Sequence, residues 1–175
     1  MISAAEADFS REKLTRWWDP GRQLLASIRG YQRLRARRGI VSRLGQKWFV
    51  LKCRFWGVVS GADIPLDCQI GGGLLLPHPN GVVMHRDVRI GPNCLIMQQV
   101  TIGTGGKVEG VPTIGGHVDI GAGAKVLGGI RIEDHAKIGA NAVVLCDVPA
   151  GATAVGIPAR VIQSPQRDLQ PDRQS

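Results

Sequence analysis

Aromatic residues are scarce in this sequence: four Trp, three Phe and one Tyr account for 5% of its 175 residues. Glycine is abundant, with 24 residues, and hydrophobic residues as a whole make up 43% of the chain. The hydrophobic fraction excludes a chain that is disordered throughout. Few large rings and many glycines favour a fold of tight, repeated turns over a sandwich with large core side chains.

Other common signals are missing as well. The cysteines form no CxxC pair and match no zinc spacing, so we predict buried apolar thiols in a reducing compartment. They are Cys53, Cys68, Cys94 and Cys146. No apolar run of about 18 residues is present, which predicts no membrane-spanning helix. Residues 1–20 contain acids and lack the apolar stretch of a signal peptide, so a cytoplasmic protein is expected.

Acidic residues are rare in the first third of the chain. Residues 1–60 contain 13 Lys or Arg and 4 Asp or Glu, whereas residues 61–175 contain 9 and 10. The formal net charge of +8 therefore belongs to the N-terminal segment and not to the rest of the chain. Nucleic-acid binding is not predicted, because no nucleic-acid-binding module accompanies the Arg cluster.

The strongest positive signal is a repeat with a period of six residues. Reading every sixth residue from Leu66 to Val144 gives fourteen positions, of which twelve are aliphatic or Met. A second series, four residues further on, is small or aliphatic at twelve of fourteen positions. This period fits neither an α-helix nor an alternating strand. We therefore predict an all-β solenoid of hexapeptide repeats over residues 61–162, with short strands, tight corners and an aliphatic interior.

Two interruptions predict irregular places in the solenoid. Gly106 and Pro112 interrupt the second series, so residues 103–113 are predicted to form a loop whose length keeps the register. Gly72 and His78 interrupt the first series at positions that should face inward. A His buried there without a partner would be costly. Either the coil is irregular at His78, or its ring is paired.

Helical spacing replaces the six-residue period near the N-terminus. Apolar residues recur at helical intervals in 11–38, where Asp19-Pro20 suits a helix start, and a second amphipathic stretch covers 40–59. We predict that residues 1–60 form a short basic helical segment. It either caps the solenoid and neighbouring subunits or contacts the inner membrane face through its cations. The polar tail, residues 163–175, is predicted to be disordered.

The segment from residue 62 to residue 162 resembles the catalytic domain of the serine acetyltransferase family, a group of hexapeptide-repeat acyltransferases. The matching motifs are ADIP (62–65), HPNGVVM (78–84), IGPNCLIMQQVTIGTGGK (90–107), IGAGAKVLGGI (120–130), AKIGANAVVL (136–145) and AVGIPARV (154–161). The resemblance implies a left-handed parallel β-helix that forms homotrimers. It also implies acetyl-CoA as the acetyl donor. No metal is predicted, because the spacing of the histidines matches no metal site.

The resemblance further implies site residues. His78 matches the general base that removes the proton of the acceptor hydroxyl, and Asp63 matches the carboxylate that orients it. A hydroxyl is a poor nucleophile at neutral pH, so a positioned imidazole suits attack on a thioester. The other histidines are predicted to be solvated: His85, His117 and His135. The positions that match CoA-binding residues are Gly103, Thr104, Gly105, Ala122, Lys137, Ala140 and Arg160.

Three departures from the family concern the acceptor. Gly110-Val111 stands where the family has an Arg-His pair, Pro77 replaces an Asp, and Arg86 replaces a Glu. The short form resembles acetyltransferases of exopolysaccharide assembly. We therefore expect an acetyl-CoA-dependent O-acetyltransferase that acts on a hydroxyl of a sugar or polysaccharide precursor. The alternatives are a minimal serine O-acetyltransferase of cysteine biosynthesis and an inactive β-helix scaffold.

Overall fold

The structure is a computed structural model that describes residues 2–162. The tail predicted at 163–175 lies outside the described residues. The chain begins with a short 3₁₀ turn, Phe9–Glu12, and two helices, α1 (Pro20–Arg35) and α2 (Ile40–Ser60). Helical spacing predicted a start at residue 11, but α1 begins at Pro20, where the Asp19 carboxylate accepts a hydrogen bond from a backbone N–H of the first turn.

Short strands make up the rest of the described chain. They are β1 (Gln69–Ile70), β2 (Val83–Met84), β3 (Arg89–Ile90), β4 (Leu95–Ile96), β5 (Thr101–Gly103), β6 (Thr113–Ile114), β7 (Asp119–Ile120), β8 (Lys125–Leu127), β9 (Arg131–Ile132), β10 (Lys137–Ile138), β11 (Val143–Val144), β12 (Thr153–Gly156) and β13 (Ala159–Ile162). Most are two residues long, as a six-residue period with tight corners requires.

The strands form three sheets that the chain visits in rotation. Sheet I has the order β1-β3-β6-β9, sheet II has the order β4-β7-β10-β12-β13, and sheet III has the order β2-β5-β8-β11. All pairs are parallel except β12 with β13, which are antiparallel. The prediction of short parallel strands after a helical segment is confirmed.

The spacing between paired residues shows where the repeat is interrupted. Partners such as Val83 and Thr101 are 18 residues apart, which is three hexads. Across the segment between β5 and β6 the spacing becomes 24, as for Ile90 and Ile114. Residues 104–112 thus add the length of one further hexad to their coil. This is why both apolar series keep their phase beyond that segment.

The first coil is longer by two residues. Asp63 lies opposite Val83 and Leu75 lies opposite Leu95, so partners there are 20 apart. Since Val83 and Thr101 are again 18 apart, the two extra residues fall between Leu75 and Val83. His78 lies in this enlarged corner and its side chain is exposed.

The enlarged corner corrects the sequence prediction for the first coil. Gly72 and His78 do not belong to the inward-facing series, because the series shifts by two residues before Val83. The inward positions are instead Ile64, Ile70 and Leu76, and all three side chains are buried. Of the two readings of His78, the irregular coil is the one that the structure shows.

From β2 onward, both apolar series line the interior. The first series is buried at Met84, Ile90, Ile96, Ile102, Ile114, Ile120, Val126, Ile132, Ile138 and Val144. The second series is buried at Val82, Val88, Cys94, Val100, Val118, Ala124, Ile130, Ala136, Ala142 and Val148. Val108 is 50% exposed, because it lies in the segment between β5 and β6.

The cysteines differ in their surroundings. Cys68 and Cys94 are buried in the core, and burial raises the pKa of the Cys68 thiol to about 12 and that of Cys94 to about 11. Both therefore remain protonated thiols at neutral pH. The prediction of four buried cysteines is wrong for Cys146, which lies exposed just after β11, and Cys53 is only half-buried.

The N-terminal segment closes the first coil. Arg29 of α1 pairs with Glu12 at 2.8 Å, and its guanidinium donates to the carbonyl oxygens of Ile70 and Gly71 at the end of β1. The buried Asn93 side chain accepts from the backbone N–H of Asp8 and donates to two further carbonyls of residues 3–6. Backbone groups at the start of sheet I thus find partners in the helical segment.

Candidate active site

One edge of the molecule gathers several of the predicted site residues. It consists of the corners that join sheet II to sheet III, and we call it the II–III edge. Its corners are stacked by backbone hydrogen bonds: Gln99 donates to Asn80, Gly123 donates to Gln98, and Asn141 donates to Ala122. His78, Ala122 and Ala140 lie in these corners, so the structure places all three along this edge.

His78 projects from the enlarged corner at the beginning of the II–III edge. Pro77 and Pro79 flank it and restrict the backbone, since a proline fixes its own φ and limits the residue before it. The ring is exposed to solvent and makes no hydrogen bond with another residue of the 2–162 range. A free imidazole on a restrained corner is available to a ligand.

Asp63 lies close to this corner in space, because it pairs with Val83 of the strand that follows the corner. It follows the end of α2, and its backbone N–H donates to Val82 at 2.8 Å while its carbonyl accepts from Met84 at 3.0 Å. These bonds hold Asp63 beside the strand into which the His78 corner leads. The Asp63 side chain is exposed, and among residues 2–162 no hydrogen bond or ion pair joins its carboxylate to the His78 ring.

A second group of predicted residues lies at the other margin of sheet III, where it leads into sheet I. Gly103 ends β5 and its carbonyl accepts from the N–H of Gly128 at 2.9 Å. Thr104 and Gly105 follow in the exposed segment, and Gly105 has a φ of +139°. The segment is tied down again where Gly129 donates to Val108. These residues do not meet His78 within one chain, because sheet III lies between them.

The two predicted cations lie on sheet II. Lys137 is in β10, opposite Asp119 and Thr153, and Arg160 is in β13, opposite Val155. Both side chains are exposed. The predicted site residues thus divide into groups at different places along the three sheets, and they do not share one pocket.

Two cavities were not predicted from the sequence. One, of about 690 Å³, lies between α2 and the first coil and is lined by Asp63, Arg54 and Cys53, among others. Its walls come from α1, α2 and the first coil, which share no sequence motif. No signal in the sequence therefore predicted the cavity. Among the predicted site residues, Asp63 is the one that lines this open cavity.

The larger cavity, of about 1060 Å³, lies beside sheet I and contains none of the predicted site residues. Asp67 in its lining pairs with Arg86 at 2.6 Å and with Arg35 at 2.7 Å. The Arg86 guanidinium, with help from Arg35, holds the pKa of the Asp67 carboxyl below its usual value. Arg86, one of the three departures, is therefore engaged in an ion pair with Asp67.

Comparison with known proteins gives a consistent result. No protein-family model matches the sequence. A serine acetyltransferase from Synechococcus elongatus is 46% identical over 107 residues, which is 60% of this chain and 44% of the relative. The chain thus spans about half the length of the curated relatives that it matches.

Solved structures agree with the sequence matches. A serine acetyltransferase in complex with CoA superposes with a TM-score of 0.69 at 34% identity, over 83% of this chain and 58% of that one. A soybean serine acetyltransferase in complex with serine gives a TM-score of 0.68 at 38% identity, over 82% and 57% of the two chains. Sequence and structure comparisons agree that most of this chain is similar to serine acetyltransferases.

Proposed function

We propose that the protein is an acetyl-CoA-dependent O-acetyltransferase that uses His78 as its general base. The observation that carries this proposal is the exposed imidazole at the restrained, enlarged corner of the II–III edge, in a chain that resembles the serine acetyltransferase family. Residues 61–162 would form a left-handed parallel β-helix, and residues 1–60 its helical cap. The handedness is part of the proposal and follows from the family.

The chemistry assigned to His78 is proton removal. One ring nitrogen accepts the proton of the acceptor hydroxyl while the oxygen attacks the carbonyl carbon of the thioester. The tetrahedral intermediate then expels the CoA sulfur, which leaves as the thiol after receiving that proton. The Asp63 carboxylate would accept from the other ring nitrogen and stabilise the imidazolium. Both side chains are exposed, so rotation about their side-chain bonds is free of core packing.

The distribution of the other residues supports a site shared between subunits. Gly103, Thr104 and Gly105 lie across sheet III from the II–III edge, so we propose that a ligand touches both sets by lying between two copies of the chain. We propose a homotrimer in which backbone groups of these residues, with Ala122 and Ala140, line the pantetheine arm of acetyl-CoA. The cations for its phosphates would be Lys137 and Arg160.

The position of Gly128 provides a test of the CoA assignment. A methyl group at this residue, whose φ is +93°, would meet the Gly105 carbonyl oxygen at 2.5 Å and that of Val108 at 2.8 Å. Gly128→Ala is therefore expected to displace the segment after β5 and weaken CoA binding about tenfold, measured by calorimetry.

The matched control for this test is Gly151→Ala. Gly151 also has a positive φ, +68°, but nothing lies within 4 Å of its added methyl group. The control therefore carries similar backbone strain without the collision. Equal CoA affinity in the two variants would contradict a role of the 103–105 segment in CoA binding.

The comparisons favour serine as the acceptor, which was the alternative and not the main expectation from the sequence. The relatives are named serine acetyltransferases, and one solved relative holds serine. L-Serine is accordingly the first acceptor that we propose. Its hydroxyl would lie at His78, beside the cavity bordered by Asp63.

A sugar hydroxyl is the second candidate acceptor, and the departures are the observation that favours it. Gly110-Val111 offers no side-chain donor for a free carboxylate, and Arg86 is paired with Asp67. The relatives matched here do not themselves support a glycan acceptor.

A coupled thiol assay separates the candidates. Purified full-length protein is given acetyl-CoA with L-serine, L-alanine, N-acetylglucosamine or no acceptor, and free CoA thiol is followed over time. We expect turnover with L-serine and none with L-alanine, which lacks the hydroxyl. Turnover with the sugar alone would transfer the proposal to the second candidate. Absence of turnover and of CoA binding would favour an inactive scaffold.

A further inference from the structure

The outer face of α2 carries a continuous row of exposed apolar side chains, which we call the α2 stripe. It consists of Val41, Leu44, Trp48, Leu51, Phe55 and Val58. Each of these side chains is between 54% and 85% exposed. Spacings of three and four residues place them within an arc of about 100° on the helix. The stripe runs for about 26 Å along α2.

The α2 stripe is not needed to hold the helix on the protein. A different face of α2 packs inward, where Trp56, Ser42 and Ser60 are buried. On that inner side Phe49 lies against Gly30 of α1, and Leu34 lies against Gly45. Folded proteins rarely expose so long a contiguous apolar surface unless it binds something.

The charges that α2 itself carries beside the stripe are all of one sign. Arg43, Lys47 and Arg54 lie along one side of it and Lys52 along the other, by helical geometry at 100° per residue. α2 contains no Asp or Glu. An apolar row bordered by cations is the pattern of a helix that lies in the surface of a bilayer.

Exposed tryptophans extend the apolar surface at the end of α2. Trp17 is 82% exposed and Trp18 is 55% exposed. The Trp18 ring packs edge-on against the Trp56 ring, with 5.6 Å between the ring centroids. The Phe55 ring of the stripe lies 5.1 Å from the Trp56 ring. Indole rings are enriched at the boundary between water and hydrocarbon, which suits this position.

We propose that the α2 stripe docks on an anionic lipid bilayer surface. No helix among residues 2–162 is long and apolar enough to cross a membrane, so α2 would lie on the surface and not span it. A second α2 stripe is a poorer occupant, because pairing two of them would bring their cations together without an opposing acid. This proposal stands apart from the acetyl-transfer reaction and does not require it.

Vesicle co-sedimentation tests the proposal with the full-length protein. Vesicles of phosphatidylcholine with about 30% phosphatidylserine are expected to bind it, and pure phosphatidylcholine much less, because each cation near an anionic surface strengthens binding about fivefold. High salt should weaken the binding, and Trp emission should shift to shorter wavelength as Trp48 leaves water. Failure to bind the anionic vesicles would overturn the proposal.

Paired variants locate the binding surface. Leu51→Glu/Phe55→Glu is expected to lower vesicle affinity at least tenfold, while Ile162→Glu, at an equally exposed residue of β13, leaves it unchanged. Circular dichroism checks that both variants fold, and light scattering gives their oligomeric state. If the double variant bound vesicles normally, or if it dissociated an oligomer that Ile162→Glu retained, the stripe would not be a membrane-docking surface.

Discussion

Replacing His78 with alanine is expected to lower kcat for acetyl transfer by a factor of about 10²–10⁴, the usual contribution of a positioned general base. The loss should appear in kcat and not in the affinity for CoA, because the proposed CoA contacts come from backbone groups and from Lys137 and Arg160, and not from the His78 ring. Steady-state rates with acetyl-CoA and the confirmed acceptor, together with CoA titrations, measure both quantities.

The control for this variant is His135→Asn. His135 lies in a corner between sheet I and sheet II, has a φ of +61°, and its ring faces His117. Asparagine tolerates this backbone conformation, so the control should fold normally. It is expected to keep its activity. If His78→Ala retained full activity on the confirmed acceptor, the proposed base would be wrong.

Replacing Ile120 with alanine is expected to destabilise the fold by about 3 kcal/mol. Ile120 is 1% exposed and lies between Ile96 and Ile138 in the neighbouring strands of sheet II. Truncation removes three carbon atoms from the middle of this stack. The neighbouring coils limit how far the space can close, because their backbones are tied by the sheet hydrogen bonds.

Denaturant unfolding measures this effect against a matched exposed site. Ile162→Ala makes the same chemical change where the side chain is 54% exposed, and we expect a loss of less than about 1 kcal/mol there. If the two variants were equally stable, the stacked aliphatic series would not be the main source of stability.

The period of six predicted the interior well because it depends on neighbouring residues alone. Side chains such as Ile90, Val118 and Val144 are buried wherever a hexad forms one side of a coil. The same local reasoning predicts a loop over residues 103–113, since Gly106 and Pro112 break only one of the two series.

The apolar pattern of the sequence does not reveal the shift of two residues in the first coil, and the reason is physical. The two apolar series differ by four residues in a period of six, so moving one of them by two residues brings it onto the other. Ile70 and Leu76 therefore looked regular although they had changed series, and His78 looked inward-facing although it is exposed. The strand pairings of the first coil, such as Leu75 with Leu95, show the true register.

The arrangement of the site depends on distant contacts, which the sequence does not express. Sheet III separates the 103–105 segment from His78, and this follows from which corners share an edge. The cavity beside Asp63 and the ion pair between Arg86 and Asp67 bring together residues from the helices and the first coil. The six-residue period does not relate residues of the helices to residues of the first coil, so it could not predict these contacts.

The two ends of the coiled region prevent it from growing. Each coil resembles the next, so an uncovered first or last strand would offer its backbone to another molecule and allow filaments to elongate. At one end Arg29 occupies the carbonyls of Ile70 and Gly71. At the other end β13 runs antiparallel to β12 and breaks the repeat. We therefore expect these two features to disfavour end-to-end stacking of molecules at high concentration.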